Sequence, residues 1–159
     1  MKAFNAPELI SKTNNHQSVF LAGSIDMGES ENWQDIFILN YNHLSINFYN
    51  PRRKEWDSSW EQRFDSPEFF QQVSWELDAM DKADIIVMNI LPNSKSPITL
   101  LELGLYANTN KLVVCCPDKF YRSGNVHIVC NKYNIPLYKD FYSFRANSIH
   151  NFNSKKHVI

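Results

Sequence analysis

The chain of 159 residues has no apolar run long enough to span a bilayer, which argues against a transmembrane role. Residues 1–17 are polar and lack the apolar stretch of a secretory signal, so the expected location is cytoplasmic. An excess of positive charge is also missing: 16 Lys and Arg stand against 17 Asp and Glu, for a formal net charge of -1. That speaks against a nucleic-acid polymer as partner, since polyanion binding draws on a basic excess, and it leaves small ligands open. Cysteine is sparse: Cys115, Cys116 and Cys130 make an odd number with no metal-ligand spacing. They read as reduced thiols in or near the core. The five histidines are scattered, so neither a metal nor another cofactor is expected. No Gly-Lys-Ser/Thr and no three-glycine fingerprint occurs, which removes the Walker loop and the dinucleotide-binding turn. Internal repeats and low-complexity stretches are absent as well, although Asn is frequent.

What is present is an ordinary globular composition, 43% hydrophobic and 21% charged, at the size of one domain. Residues 1–16 read as a loose leader, 17–150 as a single domain and 151–159 as a tail. Within the domain, apolar runs predict strands over about 18–23, 45–49, 84–90 and 111–116, with a short fifth near 135–138. Helical spacing fills the intervals. A helix over 30–42 carries Trp33, Phe37 and Tyr41, with Ser30 as N-cap. One over 67–82 starts at Pro67 and should bury Phe70, Val73, Leu77 and Met80. Further helices are expected over 98–108, 124–134 and 141–149. Alternating strands and helices predict an α/β fold with a parallel sheet, helices on both faces and right-handed crossovers. In such sheets ligands bind beyond the carboxyl ends of the strands. Four loops follow, after Gly23, Asn50, Ile90 and Cys116.

The first loop, Ala22-Gly23-Ser24-Ile25-Asp26-Met27-Gly28, has glycines that let backbone approach a ligand, although a tight turn alone would use them too. The second, Asn50-Pro51-Arg52-Arg53 with Trp56 and Trp60 beyond, offers stacking faces and guanidinium groups. The alternative there is tryptophans covering a sheet edge and arginines in structural ion pairs. The third leads into Ser96-Pro97-Ile98-Thr99-Leu100-Leu101-Glu102-Leu103-Gly104. Glu102 sits in aliphatic company, where a carboxylate must be paired, protonated or functional unless it lies on a solvent face. A second acid, Glu76, lies on the preceding helix, whereas Asp84, at the opposite strand end, suits a capping role.

Taken in order, Ala-Gly-Ser-Ile near the start, Asn-Pro-Arg-Arg after the second strand and Ser-Pro-Ile-Thr-Leu-Leu-Glu-Leu-Gly before the third helix resemble the nucleoside 2-deoxyribosyltransferase superfamily. The likeness is to its deoxyribosyltransferase-like branch, related to nucleotide N-glycosidases, and it runs over about 19–138. It implies a flavodoxin-like, Rossmann-like three-layer sandwich with a five-stranded parallel sheet. It also implies cleavage of the N-glycosidic bond of a (deoxy)nucleoside or nucleotide, the sugar passing to another base or to water. The family's nucleophilic glutamate falls on Glu102. The second acid falls on Glu76, eight residues before Asp84, where relatives often carry Asp. Substrate contacts are implied at Gly23, Ser24, Asp26, Asn50, Arg52, Trp56 and Ser96, and, reaching into a partner subunit's site, at Asn125. A homodimer or higher homo-oligomer is therefore expected. Relatives that act on 5′-monophosphates often carry Arg where this chain has Asp26. A carboxylate there disfavours a phosphate, and Arg52 and Arg53 could reverse that. The rival expectation is a binding module that holds a nucleotide-derived ligand without catalysis.

Overall fold

The computed structural model describes residues 1–11, 16–25, 31–57 and 59–156. Six strands form one sheet: β1 (Lys2–Asn5), β2 (Gln17–Gly23), β3 (Ile46–Asn50), β4 (Ile85–Asn89), β5 (Leu112–Cys115) and β6 (Leu137–Tyr138). Every pairing is parallel, in the order β1-β3-β2-β4-β5-β6. Among the described residues, α1 (Trp33–Asn40), α2 (Pro67–Lys82), α3 (Pro97–Tyr106) and α4 (Ser123–Lys132) connect successive strands from β2 to β6, and α5 (Phe141–Lys156) follows β6.

Strands buried on both faces need apolar residues at consecutive positions, and β2 supplies them. Phe20 and Ala22 point to a core shared with Met80 of α2, Leu103 of α3 and Cys130 of α4. Val19 and Leu21 point the other way, against Trp33 and Phe37 of α1 and Phe144 of α5. The result is the expected flavodoxin-like sandwich of helix, sheet and helix. Cys115, Cys116 and Cys130 are buried free thiols, raised by desolvation to about 12, 11 and 12.

The sheet has six strands, not five. The extra one is β1, inside the segment read as a loose leader, in register with β3 from Lys2↔Asn47 to Asn5↔Asn50. Its single large apolar residue, Phe4, is fully buried edge-on to Tyr49, with ring centroids 5.9 Å apart. One such residue in four is too short a pattern to show a period. At the other end α5 continues to Lys156, past the expected stop near 149, because Phe152 still reaches the core. Asn32, not Ser30, caps α1, accepting from the Asp35 amide at 3.3 Å; Ser30 lies outside the described residues.

Helix α2 has the expected bounds but turns a different face inward. Gln72, Ala79 and Met80 are buried, whereas Phe70 and Leu77 are 48% and 39% exposed. Val73 and Leu77 line a cavity instead of the core. That cavity opens where the chain runs outward from β2 to β3 and then returns to β4 on the other side of β2. This is the crevice where strand order reverses.

Candidate active site

The floor of the site is built where β2 meets β4. Gly23 has φ +132°, and a Cβ there would run into the Asn89 carbonyl, so only glycine lets the strands close. The chain then turns so that the Ser24 amide donates to Asn89 O at 2.9 Å. The Ser24 hydroxyl accepts from the Leu91 amide at 3.0 Å and lies 2.6 Å from the Ser96 hydroxyl, itself 2.6 Å from that of Ser94. All three serines are buried. Ser96 precedes α3 in the left-handed region, at φ 45° and ψ 47°, a strained conformation for a residue with a Cβ. Trp33 fixes the same corner by donating its indole N–H to Ser24 O at 3.1 Å.

From this corner a cavity of about 550 Å³ extends between α2, α3 and the connection after β3. It gathers Gly23, Ser24, Arg52, Trp56, Ser96 and both expected catalytic acids. Glu102 is buried and Glu76 half-buried. Glu76 keeps some surface open to the cavity while protein atoms crowd its other sides. Burial therefore raises both carboxyls. Glu102 is pushed up to about 8 by desolvation and then by the negative charge of Glu76. Glu76 is pushed up to about 7 by desolvation, against a hydrogen bond from Gln72 that pulls it down. Together the two retain a proton at neutral pH, and that proton belongs to the pair.

Arg52 and Arg53 both reach the cavity wall. The Arg52 guanidinium donates to Glu31 O at 3.3 Å, and desolvation lowers its proton affinity while Asp35 opposes that. Arg53 donates to Gln71 Oε1 at 3.2 Å and sits 4.8 Å over the Trp60 ring, which packs against Trp56 at 5.3 Å. The connection is thus one stacked wall. Asn50 falls elsewhere: it is buried under the turn, where its Oδ1 accepts from the Arg52 amide at 3.0 Å, and it is not part of the cavity lining. Asn125, expected in a partner subunit's site, is exposed on α4, outside this chain's own cavity. Asp26 lies outside the described residues.

Two residues join the site that sequence reasoning did not single out. Ser94 extends the serine chain, and Gln72 bridges α2 to the β3 connection. Gln72 could have been found from its i, i+4 spacing to Glu76. Among the described residues, no three His, Cys, Asp or Glu side chains gather into a metal-binding group. No helix there is long and apolar enough to cross a membrane.

A family profile described as nucleoside 2-deoxyribosyltransferase like matches residues 16–120, which hold every cavity-lining residue named above. No curated protein matches the chain.

Proposed function

The chain belongs to the nucleoside 2-deoxyribosyltransferase-like family, and from that premise we propose that it cleaves the N-glycosidic bond of a (deoxy)nucleoside or nucleotide. The observation that carries this reading is the Glu76–Glu102 pair. A buried acid and a half-buried one share one cavity at the carboxyl ends of the strands, with proton affinities lifted into the neutral range.

Such a pair meets the demands of an oxocarbenium-like transition state. One acid must be ionised to meet C1′, and the other must hold a proton for the leaving group. Glu102 is the nucleophile and Glu76 the acid. A bond forms between a Glu102 oxygen and C1′ as the C1′–N bond breaks. Its electron pair leaves with the base nitrogen, which takes the proton from Glu76. Attack on the sugar ester by a second base completes a transfer, and attack by water completes a hydrolysis; either gives up its proton to the ionised Glu76 and frees Glu102 as the carboxylate. Gly23, Ser24 and Ser96 hold the sugar side of the substrate. Arg52 and Arg53 put positive charge on the wall, which suits a monophosphate as well as a nucleoside.

A second copy of the chain completes the molecule in this reading. Helix α3 contains no charged residue except Glu102, which is turned inward. Ile98, Leu101 and Leu105, at 60%, 59% and 57% exposure, form an apolar face on the rim of the same cavity beside it. The Tyr121 hydroxyl donates to Lys95 O at 3.3 Å, so the start of α4, with Asn125, sits beside this face. Pairing across it brings Asn125 to the partner's site.

The deciding experiment is incubation with a panel of nucleosides and 5′-monophosphates, with and without an acceptor base. Free base is read by chromatography. Release from at least one member is expected. Saturable binding with no release from any member would replace this reading with that of a binding module.

A further inference from the structure

Gln72 is buried, and nothing in the proposed chemistry uses it. Its amide nitrogen donates to Pro51 O at 2.9 Å and to Glu76 Oε1 at 2.8 Å, which engages both of its N–H groups. Its own carbonyl oxygen is buried without a hydrogen-bond partner among the described residues. A buried polar atom left unsatisfied costs stability, so this amide is held in place for another reason. Flipping it would turn the carbonyl toward Pro51 O, an acceptor that has no proton to offer at any pH. The orientation is thus locked by the backbone, and toward Glu76 the side chain can only donate.

We propose that Gln72 is a positioning residue that decides how Glu76 and Glu102 share their proton. Because it presents only a donor, it favours the carboxylate form of Glu76 and leaves the proton of the resting pair on Glu102. This rests on the glycosidic reading above and adds a step to it. The reactive form, with the proton on Glu76 and the Glu102 carboxylate free for C1′, is reached by proton exchange through solvent in the cavity that both acids line. Gln72 then keeps Glu76 from holding that proton too tightly, so it is released to the base as the C1′–N bond breaks. The other charged groups in the same space are Arg52 and Arg53 on the wall, while Tyr106 feels the Glu102 charge from the helix end. The directions of the shifts agree: the Gln72 bond lowers Glu76, whereas the charge of Glu76 raises Glu102.

The test uses Gln72→Met, which keeps the length and removes the donor. In the free protein, carbon-detected NMR of the glutamate carboxyls, assigned with Glu76→Gln and Glu102→Gln, follows both titrations. The Glu76 midpoint should rise by about one pH unit or more without the donor, and that of Glu102 should fall. In turnover, the alkaline limb of the rate profile should move upward, with KM changed less than twofold. In the wild-type protein, the Gln72 side-chain amide protons should titrate with the Glu76 midpoint, which keeps the proposal testable if the variant does not fold. Unmoved carboxyl midpoints and amide protons that ignore the Glu76 step would overturn it and leave Gln72 a packing residue. Failure of the parent chain to release any base would remove the glycosidic reading, while the NMR titrations would still decide the role of Gln72.

Discussion

At the scale of single residues, Glu102 and Glu76 do opposite things with charge. Glu102→Gln keeps shape and hydrogen bonding but takes away the group that meets the developing positive charge at C1′. Base release should fall by about 10²–10³-fold or more, because a preorganised charge in a dry site is worth several kcal/mol. Substrate binding, measured by calorimetry, should stay within a few fold, since Ser24, Ser96 and the arginine wall remain. Glu76→Gln should cost less with good leaving groups and more with poor ones, because its proton matters in proportion to the basicity of the departing nitrogen. A Glu102→Gln enzyme that turns over at the parent rate would remove the nucleophile assignment. Glu102 was legible in the sequence because an acid among Leu100, Leu101, Leu103 and Leu105 has few inexpensive fates. Glu76 was legible only through its spacing to Asp84. Gln72 left only its i, i+4 spacing to Glu76 as a sign, and Ser94 left none, since a serine in a loop looks the same whether it faces solvent or a buried hydroxyl.

At the scale of elements, the sheet was readable wherever a strand is buried on both faces. β2 and β4 are apolar at nearly every position, so they stand out with no periodicity at all. β1 lies at the sheet edge with the burial of one phenylalanine to identify it. The bounds of α2 follow from Pro67 at its start, but its inward face did not follow from its apolar spacing. A helix that lines a cavity spends part of its apolar stripe on the ligand space, so Val73 and Leu77 face the cavity and the buried Gln72 borders it. The β2–β4 junction makes a sharper claim. Gly23→Ala would set a methyl group against the Asn89 carbonyl, between two backbones that cannot yield independently. The expected loss is about 3 kcal/mol or more, seen as a fall of roughly 10 °C in Tm, with base release lost in parallel because Ser24 is carried by the same turn. A Gly23→Ala protein with parent Tm would show that the junction relaxes freely.

At the scale of the whole molecule, two properties depend on the site being both apolar-rimmed and acidic. The rim is the face of α3. Leu101→Asp, on the rim of the cavity beside Glu102, should turn the proposed dimer into a monomer in sedimentation. An unchanged sedimentation coefficient would place the interface elsewhere. The acidic pair in turn couples stability to pH. Both carboxyls, ordinarily at 4.5, are raised in the folded chain, to about 7 for Glu76 and about 8 for Glu102. Between pH 4.5 and 8 the folded state therefore holds protons that the unfolded chain has released. Stability must then fall as pH rises, by up to about 1.4 kcal/mol per pH unit for each excess proton. The contribution of the pair is full below the ordinary value and is lost as pH rises through the raised ones. Removing one ionisable partner relieves both: Glu102→Gln abolishes its own burial of charge and the repulsion felt by Glu76. Thermal unfolding should show Glu102→Gln matching the parent near pH 4 and exceeding it by several degrees near pH 8, with a shallower slope between. Parallel curves for parent and variant across that range would mean that Glu102 ionises in the folded chain as readily as in water, and the pair would then hold no proton to give.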